Sequence, residues 1–222
     1  MRSPRRTAAL LTTSTLALAL LAGCAASTGD WTKPHPTPTA VGAVGAGFIP
    51  SSTPSPEATI NPAPGSWDGV RPSDGYRVVL LTAGTDAPAK AVAKAVVDWA
   101  KAAHVDLRTV AADDNHIDGI VEAMDLKPDL IITAGNDLID ALATVTASNL
   151  HQNFLVVGAE VAEPTYNVTA VDWSGASFRG EGLGASSTFD EKSFTPKRTA
   201  AAVRAGVASV LVDMTGIVLW IE

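Results

Sequence analysis

Cysteine is the scarcest reactive residue in this 222-residue chain: there is one, Cys24. No disulfide can form within the chain, and no Cys-based metal framework exists. The four histidines, His35, His104, His116 and His151, lack metal-ligand spacing. Asp113, Asp114 and His116 stand together but read as a solvated loop, so neither a metal nor another cofactor is expected. Basic charge is also thin, with 16 Lys and Arg against 23 Asp and Glu for a formal charge of −7. Phosphate backbones would be repelled, which excludes nucleic acid as a partner. GAVGAG at 42–47 has no strand before it and no helix after it, so it is no phosphate loop. Gly175-Ala176-Ser177-Phe178-Arg179 lacks the second glycine of a nucleophile elbow. Thr133 stands where a receiver domain needs its phosphoacceptor Asp. No catalytic set is left, and an enzyme is not expected.

What is present first is an address. Met1–Gly23 carries Arg2, Arg5 and Arg6, then the apolar run Ala8–Leu21, then small residues, the order of a secretory signal. The run is short for a membrane span. Leu21-Ala22-Gly23-Cys24 resembles the bacterial lipobox, in which the cysteine takes a diacylglycerol and becomes the new N-terminus. Two or more acyl chains anchor stably, at about 0.8 kcal/mol per buried CH₂. Arg5-Arg6 lacks the Phe-Leu of twin-arginine export, so Sec export is expected. Cleavage would take the formal charge from −7 to −10 by removing three arginines, leaving the acyl chains to hold the membrane.

From residue 24 to 75 the composition turns to Pro, Thr, Ser, Gly and Ala, as in KPHPTPTA and PSSTPSPEATINPAPG. Such a stretch reads as a disordered tether, too poor in apolar area to offset its ordering entropy. It is either a plain spacer or a carrier of O-linked sugars. Three segments follow: 1–23 signal, 24–75 lipidated cysteine and tether, 76–222 folded domain.

Within 76–222, short β-branched runs alternate with helical periodicity. Arg77–Thr82, Val105–Ala111, Leu130–Thr133, Phe154–Val157, Asn167–Trp173 and Ile217–Ile221 read as strands. Helices are expected after Asp86, Asn115 and Asn136, each placed as a cap, and after Thr195-Pro196. A short or frayed helix is expected over Ser174–Gly184. The Asn167-Val168-Thr169 sequon reads as chance. A membrane-spanning tail from Thr199 to Ile221 would bury Arg204 and Asp213 at about 2.5 to 3.5 kcal/mol each near the centre, so a buried helix and strand are preferred. The predicted fold is α/β, a doubly wound, mostly parallel sheet of about six strands in order 2-1-3-4-5, with the last added at an edge.

PDLIITAGNDLIDAL, NFLVVGAE and NVTAVDWSGASFRG resemble the basic membrane lipoprotein family of substrate-binding proteins for ABC importers. The likeness runs over Asp129–Gly180. It implies a Rossmann-like lobe of a type I periplasmic-binding fold, a nucleoside or related solute as ligand, and uptake or sensing as the role. The family has an Asp and a Phe-Asn pair after its first strand; here Ala83-Gly84-Thr85-Asp86-Ala87-Pro88 leaves only Asp86 with comparable chemistry. Residues 76–222 also supply one lobe where a hinged receptor has two. Either a second copy or an envelope partner supplies the missing wall, or the fold serves as a structural or interaction module of the cell envelope.

In a parallel sheet, ligands bind beyond the carboxyl ends of the strands. That edge should gather Thr82, Thr85, Asp86, Asp113, Asn115, Thr133, Asn136, Asp137, Glu160, Asp172 and Trp173. Carboxylates and amides there suit sugar or ribose hydroxyls, and Trp173 would stack on a ring. The plain alternative for Asp86, Asn115 and Asn136 is helix capping.

Overall fold

The computed structural model describes residues 29–222; the signal segment and Cys24 lie outside the described residues. The chain runs β1 (Ala40–Gly42), β2 (Thr59–Ile60), β3 (Val70–Pro72), β4 (Arg77–Thr82), α1 (Ala87–Ala102), β5 (Asp106–Ala111), α2 (His116–Asp125), β6 (Leu130–Ala134), α3 (Ile139–Thr146), β7 (Phe154–Val157), β8 (Val168–Asp172), α4 (Pro196–Leu211) and β9 (Val218–Trp220). One seven-stranded sheet has the order β2-β9-β8-β7-β6-β4-β5, every pairing parallel. β1 and β3 form a separate antiparallel pair. The expected order holds for the six anticipated strands. The last of them lies beside β8 and, contrary to expectation, is not an edge strand, because β2 pairs beyond it.

The central strands are buried on both faces, which is why their sequences run apolar without alternation. Val78, Leu80, Leu130, Ile132, Leu155, Val171 and Leu219 pack under α1 and α4. Val79, Leu81, Ile131, Phe154, Val156, Ala170 and Val218 pack against the layer of α2 and α3. Asp86 caps α1 by accepting from Ala89 N at 2.8 Å, Asn115 caps α2 by accepting from Asp118 N at 3.2 Å, and Thr195 caps α4 with Pro196 in its first turn. Asn136 differs from its expected role. It opens a single 3₁₀ turn (Asn136–Leu138) before α3, and no side chain caps it.

Asn167 is fully buried, and its Nδ2 donates to the carbonyls of Thr146, Asn149 and Gln152 at 3.3, 3.2 and 2.9 Å. It pins the end of α3 to β8, so the sequon is structural. The stretch after Thr199 is a helix buried on the sheet and then β9. Among the described residues no helix is long and apolar enough to cross a membrane.

Two expectations fail. The helix over Ser174–Gly184 does not form: Gly175, Ser177, Gly180 and Gly182 all take positive φ, from 65° to 123°, which a right-handed helix cannot accommodate. The tether fails over its described part. Phe48 is 1% exposed and Trp67 5%, both in the core with Ile60, and β2 joins the main sheet. The composition is poor in apolar residues, but Trp31, Phe48, Ile60 and Trp67 are buried, while Val41 and Ile49 stay exposed. Its prolines restrict the unfolded chain and so reduce the entropy lost on ordering.

The start of this strap is clamped to the amino-terminal edge of the sheet. The buried Arg77 side chain donates to the carbonyls of Trp31, Asp30 and Lys33 at 3.3, 3.4 and 2.8 Å. The guanidinium carbons of Arg77 and Arg108 lie 5.5 and 4.4 Å from the Trp31 ring centroid. Asp129 accepts from Arg77 N at 2.8 Å, and His35 Nε2 stands 2.8 Å from its other oxygen.

Candidate functional site

The carboxyl edge of the sheet carries two separate groups of polar side chains. The first surrounds the switch in strand order between β4 and β6. Thr82 is half-buried with Oγ1 3.5 Å from Val110 O, and Thr133 is buried with Oγ1 3.5 Å from Leu155 O. Thr85, Asp86, Asp113, Asn115 and Asp137 are exposed, and Asn136 is partly so. Asp113 Oδ1 accepts from Gly84 N at 3.0 Å. Asp137 Oδ2 and Asp86 Oδ2 lie 3.1 and 3.3 Å from where a Cβ on Gly84 would sit. Three carboxylates therefore crowd one glycine, whose φ of +76° admits that approach. The crevice is narrow, because a Cβ on Gly135 would collide with the Ala83 carbonyl. Among the described residues no group of His, Cys, Asp or Glu could hold a metal ion. Asp86, Asn115 and Asp113 have structural bonds that account for them.

The second group lies at the ends of β7 and β8. Asp172 is fully buried; its Oδ1 accepts from Trp173 N at 2.8 Å and Ser177 N at 2.9 Å. Its Oδ2 meets no donor and neighbours the Glu160 carboxyl. Burial pushes the Asp172 carboxyl up to about 7, backbone hydrogen bonds from Ser177 and Trp173 oppose the rise, and Glu160 adds to it. The neighbouring Glu160 carboxyl disfavours a negative charge on Asp172. Glu160 is itself buried, and Arg179 Nε lies 3.3 Å from its Oε2 without the alignment of a hydrogen bond. Arg179 also donates to Ala162 O at 3.4 Å.

Trp173 does not face a ligand. It is fully buried, its Nε1 donates to Ser193 Oγ at 3.0 Å, and its ring meets Phe194 edge-on at 5.0 Å. Strand parity carried the signal: Val171 and Trp173 leave β8 on the α1 and α4 side, opposite Asp172.

Glu160 opens onto a shallow depression of about 480 Å³ lined also by Arg179, Ser186, Trp220 and, from the strap, Glu57, Thr59 and Asn61. A second depression, of about 420 Å³, shares Asn61 and Trp220 and adds Trp67, Lys197, Arg204 and Glu222 among others. Sequence reading missed Trp220, Asn61 and Arg179. Trp220 had a signal in the alternation of Leu219 and Ile221, which enter the core and leave it on the other face. Asn61 had none, being hidden in Pro-rich sequence.

No family model matches the chain, and no curated protein is detectably similar to it in sequence. Partial likeness to solved structures exists. A solute-binding protein of an ABC transporter system from Conexibacter woesei DSM 14684 is 18% identical, with a TM-score of 0.37 over 44% of this chain and 35% of that one. An ABC transporter solute-binding protein from Aeropyrum pernix K1 is 18% identical, with a TM-score of 0.38 over 45% and 29%. A periplasmic ribose ABC transporter protein from Conexibacter woesei DSM 14684 is 16% identical, with a TM-score of 0.33 over 66% and 54%. The chain thus spans about a third of the first two and about half of the third.

Proposed function

We propose that the chain is a membrane-anchored, extracytoplasmic lipoprotein whose α/β domain binds a small polar solute of the nucleoside or sugar class, for uptake or sensing. The observation that carries this reading is the set Asp172, Glu160 and Arg179. Buried ionisable groups with incomplete hydrogen bonding cost stability. Here Glu160 and the partly exposed Arg179 border an open depression, with the buried Asp172 beside Glu160, at the carboxyl edge of a parallel sheet, where such folds take ligands. The resemblance to basic membrane lipoproteins agrees with it. A thermal-shift panel of nucleosides and sugars tests it: a saturable rise in Tm with at least one compound is expected, and no rise with any, in monomer or dimer, would overturn the reading.

The anchor rests on the lipobox at Cys24, and mass spectrometry of the membrane-extracted protein should find the diacylglyceryl adduct. Gly29 follows Cys24 by five positions, and its N–H donates to Asp106 at the start of β5 at 2.8 Å. That length spans at most about 18 Å. The anchor would therefore hold the amino-terminal edge of the sheet near the lipid, with the candidate site at the opposite end.

One observation favours an envelope interaction module instead. Leu183 and Phe189 are each 53% exposed on the 174–190 loop beside the site, and a single lobe offers nothing to cover them. That reading predicts a protein partner in cross-linked pulldowns; recovery of a small molecule without a protein would reject it.

A further inference from the structure

We propose that the half-buried Trp220, with Asn61 beside it, is the stacking platform of a saccharide-binding groove formed between the ends of β8 and β9 and the strap. This rests on the solute-binding reading above and assigns the solute and its place. Trp220 is registered beside Asp172. Ile60 pairs with Leu219, which brings Asn61 level with Trp220. In parallel strands registered side chains leave the sheet on one face, so Trp220 leaves it on the face of Asp172, and it also borders the depression lined by Lys197 and Arg204 of α4. No helix covers that side at β8 and β9, because the positive-φ residues between Gly175 and Gly182 prevent one. Trp220 belongs to neither core cluster. An indole left partly in water at the end of an otherwise core-forming strand has apolar surface still to bury.

The surroundings select the ligand. Both depressions meet at Trp220 and Asn61. One carries Glu160, Glu57 and Arg179, and the other carries Lys197, Arg204 and Glu222. Arg204 is paired with Asp68 at 3.0 Å and Arg179 with Glu160 at 3.3 Å, so the groove has no surplus of positive charge to draw an anion. What remains is an aromatic face, an amide with both donor and acceptor, and mixed charged groups able to bond hydroxyls from several sides. A sugar ring presents the matching surfaces: a C–H face for the indole and a rim of hydroxyls. The site lies four strands from β4, about 19 Å from the switch-point crevice, and one of its walls is the strap.

The test uses the full chain in detergent micelles with 5-fluorotryptophan at its five tryptophan positions, Trp220→Phe serving to assign the Trp220 fluorine signal. Glucose, N-acetylglucosamine, maltose and adenosine are the probes. The expected result is a saturable shift of the Trp220 signal with at least one of the three saccharides. Trp220→Ala and Asn61→Ala should weaken that binding about tenfold, as loss of a stacking or bidentate partner does. Asp113→Asn at the switch point should leave it unchanged. Trp220→Phe, which keeps a ring and the fold, should retain binding, and circular dichroism would show whether the alanine variants are folded. Saccharide binding that Asp113→Asn abolishes and Trp220→Ala spares, or binding of adenosine alone, would overturn this inference and leave the solute-binding reading standing. No saturable response to any probe would overturn both.

Discussion

The two ends of the parallel sheet differ in how their charged side chains are engaged, although each leaves a few buried polar atoms without a partner, Trp31 Nε1 and Asp106 Oδ1 at the amino-terminal edge and Asp172 Oδ2 at the carboxyl edge. At the amino-terminal edge Arg77 satisfies three carbonyls, Asp129 is engaged by a backbone N–H and by His35, and Trp31 lies against two guanidinium groups. At the carboxyl edge Asp172 keeps one oxygen without a donor, Glu160 crowds it, and three more carboxylates gather around Gly84. The first arrangement is what stability alone produces. The second costs stability, and such a cost persists where the groups serve something beyond the fold. The strap joins the two ends: its start locks the first, and its later part walls the second.

The largest expected effect tests whether the strap belongs to the fold. Phe48→Ala removes a side chain that is 1% exposed and should destabilise the protein by about 3 to 5 kcal/mol, read as a lower urea midpoint with an unchanged m-value. A change below about 0.5 kcal/mol, the range of ordinary surface substitutions, would return this segment to the tether read from composition. Next is Arg77→Met, which keeps the aliphatic volume and strips three carbonyls of their donor. A loss of about 3 kcal/mol is expected from buried acceptors left unpaired. A neutral outcome would erase the contrast between the two ends.

How much of this was legible in the sequence follows from the period of each signal. β4, β6, β7 and β8 announced themselves as short continuous β-branched runs, and the order of the six expected strands followed from crossover handedness. Asp86, Asn115 and Thr195 were readable as caps because capping depends on a few adjacent residues. The strap was not legible: Trp31, Phe48, Ile60 and Trp67 fall at no regular spacing, and their burial depends on distant partners such as Arg108 and α4. The missing helix after β8 was half-legible in its glycines, but the positive φ of Ser177 is set by the bond from Ser177 N to Asp172, a tertiary fact. Glu160 and Asp172 were expected at the carboxyl edge and lie there, whereas Trp173 was placed on the wrong side of the sheet. Parity within β8 corrects that, and the same parity brings Trp220 to the surface.

The carboxyl edge itself yields a pH test. Asp172 holds its proton in the folded protein up to about 7 and releases it near 3.9 when unfolded. Between those values the native state binds more protons than the unfolded one. Its contribution is therefore fully present below the unfolded pKa and is lost as pH rises through about 7. Urea titrations from pH 4 to pH 8 should show stability falling by a few kcal/mol toward the alkaline end. Asp172→Asn keeps the acceptor for Trp173 N and Ser177 N, cannot ionise, and should flatten that slope. A slope that survives the substitution would show that the titrating group lies elsewhere.

The smallest effect sharpens the contrast most. Asp137 is exposed, makes no hydrogen bond through its side chain among the described residues, and shares its surroundings with Asp86 and Asp113 around Gly84. If those carboxylates contributed to stability, Asp137→Asn would lower it. If they only repel one another across a solvent-exposed crevice, the substitution removes a like charge and should leave the protein unchanged or more stable by up to about 0.5 kcal/mol, with the gain shrinking as salt is added. Differential scanning calorimetry in low and high salt separates the two. A gain that vanishes in salt marks the switch-point acids as a cost to the fold, the same cost that Asp172 and Glu160 impose at greater depth. A loss independent of salt would show that the carboxyl edge, like the amino-terminal one, is built for stability, and the comparison would fail at its most exposed point.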